Sequence, residues 1–145
     1  MGANVMRIRR EVQGVIFDIV DGKEMVLLVK KRDRKNRRFY WRLLKGGVED
    51  GETELQALKR EISEETGLTN VQIIKKVYDY TFVFREVKHV VSSFLVKADS
   101  TQTIKPQRSE IVESVWMPKE RALKTLYWRN EKEALKRLNT HNLNL

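Results

Sequence analysis

The sequence has no cysteine, only two prolines, and no long apolar run in its 145 residues. Without cysteine it can form no disulfide, no thiolate nucleophile and no cysteine-based zinc site. No apolar stretch approaches the roughly 18 residues of a membrane-spanning helix, and no signal-peptide core is visible. The length suits one domain over 1–145. We therefore expect a soluble, cytoplasmic, single-domain protein with no membrane partner.

The net charge is +9 and unevenly spread. Between positions 30 and 38 seven residues are basic, and Asp33 is the one acid. So polar a run predicts a solvated loop rather than a strand. It has two interpretations of equal weight: it steers a polyphosphate toward a nearby site, or it keeps the surface soluble.

Three glutamates, Glu61, Glu64 and Glu65, are spaced i, i+3, i+4 and so share one face of a helix. Like charges at this spacing repel by a few tenths of a kcal/mol per pair, so folding gains nothing from the cluster. A hard divalent cation, by contrast, needs several converging carboxylate oxygens. The cluster therefore predicts a site for a hard divalent cation.

The flanking residues suit such a helix. A glycine-rich loop that contains Gly46, Gly47 and Gly51 precedes it, and its backbone can approach a phosphate or metal closely. Thr53 is a candidate N-cap, and a glycine at position 67 closes a helix over 53–66. Arg60, beside Glu61, can hold a carboxylate in a fixed orientation.

This segment resembles the complete Nudix box, which is matched at Gly46, Glu52, Arg60, Glu61, Ile62, Glu64, Glu65, Gly67 and Leu68. The resemblance implies an α/β/α sandwich with a mixed β-sheet between helices. It also implies hydrolysis of a nucleoside diphosphate linked to another moiety. Under it, the acidic helix binds Mg²⁺ or Mn²⁺, and Glu61, Glu65 and the backbone carbonyl of Lys45 hold the ion. Glu64 completes the metal shell or acts as general base. Glu110 is a further metal ligand or the base, and Glu52 is a rival for the base, a metal ligand or a structural partner of Arg60.

The substrate would meet positive charge and aromatic rings. Arg42 and Lys45 abut the box and are candidates to neutralise phosphates, with Arg85 or Lys88 as further candidates. Four aromatic residues alternate along one predicted strand and so share a sheet face: Tyr78, Tyr80, Phe82 and Phe84. Core packing is the ordinary explanation for them. The alternative is that one or two stack on a base.

Within the family, the flanks are similar to the diadenosine tetraphosphate hydrolase branch, through residues 41–49, the aromatic strand, and Ser109-Glu110 ahead of Trp116-Met117-Pro118. This implies cleavage of diadenosine tetraphosphate to ATP and AMP. RNA 5′ ends and diphosphoinositol polyphosphates are the alternative substrates. A Nudix-scaffold protein that binds a nucleotide or RNA without cleaving it is the non-enzyme alternative. Monomer and homodimer remain open.

Hydrophobic periodicity predicts the remaining elements. Residues 12–20 and 25–29 form a hairpin, and 39–44 form a short strand that leads into the glycine loop. Later strands are predicted over 71–84, 89–96 and 111–116. A helix begins at Pro118, and residues 131–138 continue or restart it. We expect the tail 139–145 to be frayed.

Overall fold

A computed structural model describes residues 6–107 and 110–145; Ser109, part of the branch resemblance, lies outside them. Within these residues the chain forms seven strands in one sheet, three α-helices and a short 3-10 helix over Thr140–Asn142. The strands are β1 (Arg7–Val20), β2 (Lys23–Arg32), β3 (Phe39–Arg42), β4 (Leu44–Gly47), β5 (Gln72–Phe84), β6 (Val87–Lys97) and β7 (Ile111–Pro118). The helices are α1 (Glu54–Thr66), α2 (Lys119–Thr125) and α3 (Arg129–Lys136). None of the helices described is long and apolar enough to cross a membrane.

The sheet is mixed and is built around β1. Its order is β3-β2-β1-β6-β5, and β4 pairs with β1 while β7 pairs with β2. β1 runs antiparallel to β2 and β4 but parallel to β6. Alternate residues of β1 serve opposite faces: Val15 and Phe17 pack with α2 and α3, whereas Val12 and Ile16 pack with α1. The predicted mixed sheet between helices is confirmed.

The predicted hairpin and the predicted α1 are confirmed, but three predictions were wrong. Basic residues 30–32 belong to β2, because β3 and β7 take up their backbone hydrogen bonds. Gly46 and Gly47 lie in β4 rather than in a loop, and they pair with β1. The tail is not frayed, since the Thr140 amide donates to Glu24 at 2.9 Å and Leu143 packs on the core.

The C-terminal helices correct a fourth detail. Pro118 ends β7 and serves as the N-cap of α2 rather than lying in its first turn. A break follows α2, so α3 restarts the helix and does not continue it. The prediction had left these two arrangements open.

Candidate active site

The acidic helix α1 is fixed at both ends. The Thr53 hydroxyl accepts from the Gln56 amide at 3.1 Å, and the Gln56 side chain accepts from the Thr53 amide at 2.9 Å, which completes a capping box. Gly67 closes the helix with φ of 72°, a conformation that glycine adopts without penalty. Leu58 and Ile62 are fully buried against the sheet. The helix therefore presents its glutamates from a rigid base.

Glu61 lies directly against the backbone of Gly46. A Cβ added to Gly46 would stand 2.1 Å from Glu61 Cδ, far inside contact distance. Glu61 itself is only 4% exposed. Gly46 is thus needed for the close approach of Glu61, which is made to a strand and not to a loop. The predicted approach of this backbone to a phosphate or metal stays a prediction.

Arg60 links most of the acidic groups. Its guanidinium donates twice to Glu52, at 2.7 and 2.8 Å, and also to Glu61 at 2.8 Å and Glu64 at 3.2 Å. A further bond at 2.8 Å reaches the carbonyl oxygen of Gly47. The hydrogen bonds from Arg60 lower the pKa of Glu52 to about 2, and those same contacts raise the pKa of Arg60. The predicted contact between Arg60 and a carboxylate is confirmed.

Glu65 is the most deeply buried acid of the cluster. Burial raises its pKa above the ordinary range, and the charges of Glu61 and Glu110 act in the same direction. Lys31 opposes this with a 2.6 Å ion pair to Glu65 Oε1. The strand position of Lys31, which the sequence reasoning had assigned to a loop, is what brings its ammonium group to the acidic helix.

The donor set of this cluster suits a hard cation. Carboxylate oxygens are the ligands that Mg²⁺ prefers. Glu65 Oε2 is buried with no hydrogen-bond partner in the described part of the chain. Among residues 6–107 and 110–145, no group of three or more aspartate, glutamate or histidine side chains is arranged to hold a metal ion. Arg60 and Lys31 hold these carboxylates, so a divalent cation bound here would have to displace some of those contacts.

A second polar cluster lies across β1 from the acidic helix. The buried carboxylate of Glu11 contacts His89 Nδ1 and lies 3.9 Å from the ammonium of Lys45. Burial lowers the pKa of Lys45, although the nearby charge of Glu11 opposes the shift. Gln13 accepts from Tyr80 at 3.2 Å and from Ser93 at 3.1 Å. The sequence reasoning missed Glu11 and Gln13, which carry no signal beyond being polar residues in an apolar strand.

The aromatic residues of β5 do lie along one face, as predicted. Tyr80 and Phe82 are neighbours at 6.3 Å between ring centroids. Phe82 stacks on His89 at 4.4 Å, and the Lys45 ammonium lies 4.7 Å from the Phe82 ring. Phe84, further along, contacts Arg85 at 5.0 Å. Tyr78 packs against the core, which confirms the ordinary explanation for that residue, whereas base stacking by the other rings remains a prediction.

Arg42 is engaged by a partner that the sequence reasoning missed. Glu131 of α3 accepts from Arg42 at 3.0 and 3.2 Å and from the Leu43 amide at 2.8 Å. The Arg42 guanidinium also stacks over Trp128 at 4.1 Å. A signal existed: Glu131, Ala134, Leu135 and Leu138 recur at i, i+3, i+4 and i+7, which places this acid on the buried face of its helix.

A cleft of about 640 Å³ opens beside the turn that precedes α1. It brings Glu52, Phe84 and Arg85 to one concavity. Lys88 is exposed on β6 and is not among the residues that line this cleft, and Glu110 is exposed just ahead of β7. The charge of Glu110 nevertheless reaches Glu65 and helps to raise its pKa.

The NUDIX domain family model matches residues 9–138. The chain belongs to the Nudix family. A protein of Mycobacterium tuberculosis that carries the name MutT4 is 32% identical over 125 residues, which are 81% of this chain and 50% of that protein. An RNA pyrophosphohydrolase of Bartonella bacilliformis is 39% identical over 56 residues, which are 37% of this chain and 33% of the relative. The chain thus spans half or less of the length of these curated relatives.

Solved structures confirm the Nudix fold. An Ap4A hydrolase binary complex from C. elegans superposes with a TM-score of 0.77 at 22% identity, over 89% of this chain and 93% of the other. The MutT protein of Methanosarcina mazei gives 0.73 at 22% identity, over 95% and 97%. Identities this low establish the shared Nudix architecture alone.

Proposed function

We propose that this Nudix protein is a Mg²⁺-dependent pyrophosphohydrolase that cleaves a phosphoric anhydride bond of a nucleoside polyphosphate. The single observation that carries the proposal is the packed carboxylate cluster of α1, in which Glu61 lies against Gly46 and Glu65 keeps a buried oxygen that has no hydrogen-bond partner among the described residues. A fold without catalysis gains nothing from crowding these like charges. Mn²⁺ would suit the same oxygen donors.

Glu61 and Glu65 would hold the ion together with the backbone carbonyl of Lys45. Bound there, Mg²⁺ would supply charge neutralisation at the phosphate oxygens. Glu64 would act as general base toward the attacking water, with Glu110 as its rival. Glu52 serves to orient Arg60, since both of its oxygens accept from that guanidinium. Lys45 would contact phosphate from its buried position.

Diadenosine tetraphosphate, cleaved to ATP and AMP, is the first substrate we propose. The flanking motifs support it. The rings of Tyr80 and Phe82 are partly exposed and could stack on an adenine, which also supports it. A triphosphorylated RNA 5′ end is the second candidate, favoured by the arginine-lined cleft beside α1. RNA pyrophosphohydrolases among the relatives also support it.

The test is a substrate panel with Mg²⁺ in ¹⁸O-labelled water: dinucleoside polyphosphates, ADP-ribose, triphosphorylated RNA and diphosphoinositols. Release of ATP plus AMP from diadenosine tetraphosphate supports the first candidate. Glu64→Gln should abolish turnover and preserve nucleotide binding, whereas the matched control Glu120→Gln, an exposed acid of α2, should leave both intact. Nucleotide binding without turnover of any panel member would favour the binding-protein alternative and refute the hydrolase.

A further inference from the structure

We infer that the cleft beside α1 is a track for single-stranded RNA, which holds the nucleotides downstream of a 5′ end placed at the acidic helix. The inference rests on the proposed hydrolase function and deepens its second candidate, the triphosphorylated RNA 5′ end. Among the described residues, five arginines line the cleft: Arg7, Arg9, Arg10, Arg34 and Arg85. They come from β1, from the β2–β3 connection and from the β5–β6 turn, so the positive charge extends along the cleft.

Glu52 and the Gly47 backbone join this cleft to the acidic cluster. Glu52 lines the cleft and accepts from Arg60 at 2.7 and 2.8 Å, and the Gly47 carbonyl accepts from Arg60 at 2.8 Å. Arg60 in turn holds Glu61 and Glu64.

Arg9 covers the opposite face of Gly47. A Cβ on Gly47 would stand 2.7 Å from an Arg9 guanidinium nitrogen, and Arg9 lies 3.9 Å from Glu11 on that face. A phosphate chain that ends at the glutamates would therefore reach the cleft past the Gly47 backbone.

The lining also has surfaces for bases. Phe84 and His89 contribute aromatic rings, and Ile8 is 66% exposed at the same place. Arginines interleaved with aromatic rings are typical of sites that hold single strands, because charge tracks the phosphates while rings stack on bases. A compact polyanion such as a diphosphoinositol would have no use for these rings.

The charge of the cleft changes sign across its width. Glu49, Asp50 and Glu52 come from the turn ahead of α1, and the arginines form the remaining wall. Glu52 is already paired with Arg60 at 2.7 Å. The contrast directs backbone phosphates to the arginine wall and leaves the acidic wall for donor groups of sugars and bases.

The experiment measures binding of a 3′-labelled 12-nucleotide RNA, with either a 5′-triphosphate or a 5′-hydroxyl, in EDTA. The test variant is Arg7→Ser with Arg34→Ser, and the matched control is Arg121→Ser with Lys124→Ser, two exposed residues of α2. We expect the test variant to bind both RNAs at least tenfold more weakly. The slope of log affinity against log salt should fall by about 1.4, since each lost phosphate contact removes about 0.7. The control should bind like the parent protein.

Equal RNA binding by the test and control variants would overturn the inference. The inference would also be overturned if tripolyphosphate competed for the cleft as well as an RNA strand with a 5′-hydroxyl does, because the cleft would then recognise phosphate alone. Hydrolysis separates the two proposals. If no substrate is cleaved but the binding difference holds, the hydrolase proposal fails, and what stands is RNA binding by the cleft without cleavage. If diadenosine tetraphosphate is cleaved but the variants bind alike, the track fails alone.

Discussion

Gly46→Ala tests whether the contact between β4 and α1 shapes the site. The new methyl group would stand 2.1 Å from Glu61 Cδ, 2.3 Å from Cγ and 2.5 Å from Oε2. Carbon atoms pack at about 3.5 to 4.0 Å, so the Glu61 side chain must move by more than about 1 Å. Gly46 does not have a positive φ, so the backbone itself tolerates alanine.

The displacement has two consequences. Overpacking costs about 1–3 kcal/mol of unfolding free energy. Glu61 also leaves the position in which it would bind the ion, and a misplacement of about 1 Å can cost roughly 100-fold in rate. We therefore expect Gly46→Ala to remain folded at 25 °C with kcat/KM lowered by about 100-fold and with a raised Mg²⁺ requirement.

Gly14→Ala is the matched control. Gly14 is also a strand glycine, but a Cβ there would meet its nearest atoms, in Ile16 and Leu58, at an ordinary 3.5 Å. We expect near-parental activity for this variant. Urea unfolding and Mg²⁺ titration of the rate are the assays. Parental activity and Mg²⁺ dependence in Gly46→Ala would refute the reasoning.

Three further predictions concern the ion pairs. Glu131→Gln should lower the unfolding free energy by about 3 kcal/mol, because it leaves the partly buried Arg42 charge without its partner. The control Glu133→Gln removes an exposed pair and should change the unfolding free energy by less than about 0.5 kcal/mol. Urea unfolding measures both. Arg60→Lys loses the planar fork that grips Glu52, so the Glu52 pKa measured by NMR should rise from about 2 toward its usual range, and activity should fall by at least about tenfold. Burial alone would raise the pKa of Asp18, but hydrogen bonds from Lys97, Ser100 and the Ile19 amide lower it to about 2. This carboxylate stabilises the fold above pH 4 and ceases to do so as the pH falls toward 2, so the roughly 2 kcal/mol lost in Asp18→Asn at pH 7 should vanish at low pH in unfolding titrations.

The local elements were predictable because their signals are local. The N-cap at Thr53, the glycine after α1 and the alternation along β5 each fix a conformation through neighbours in sequence. The spacing of the three glutamates likewise predicted a shared helix face, and α1 spans all three of them.

The predictions failed where residues distant in the chain determine the local structure or the contacts of a side chain. Lys31 belongs to a strand because β3 and β7 pair with it, and no sequence pattern within the basic run indicates those partners. Glu11 is polar in an apolar strand, and its meaning emerges only when β6 brings His89 to it from 78 residues away. The partner of Arg42 was missed for the same reason, since Glu131 is 89 residues away in the chain.

The parallel pairing of β1 with β6 has a consequence for synthesis. Phe17 pairs with Lys97, and Arg7 with Val87, so 80 residues separate the partners in each pair. While the chain emerges from the ribosome, β1 can form its hairpin with β2, but its other edge has no partner until β6 is made. An open strand edge of this length is prone to pairing with other chains. The nascent polypeptide is therefore most vulnerable to aggregation before residue 97 has left the exit tunnel, and a chaperone that shields that edge would act in this interval.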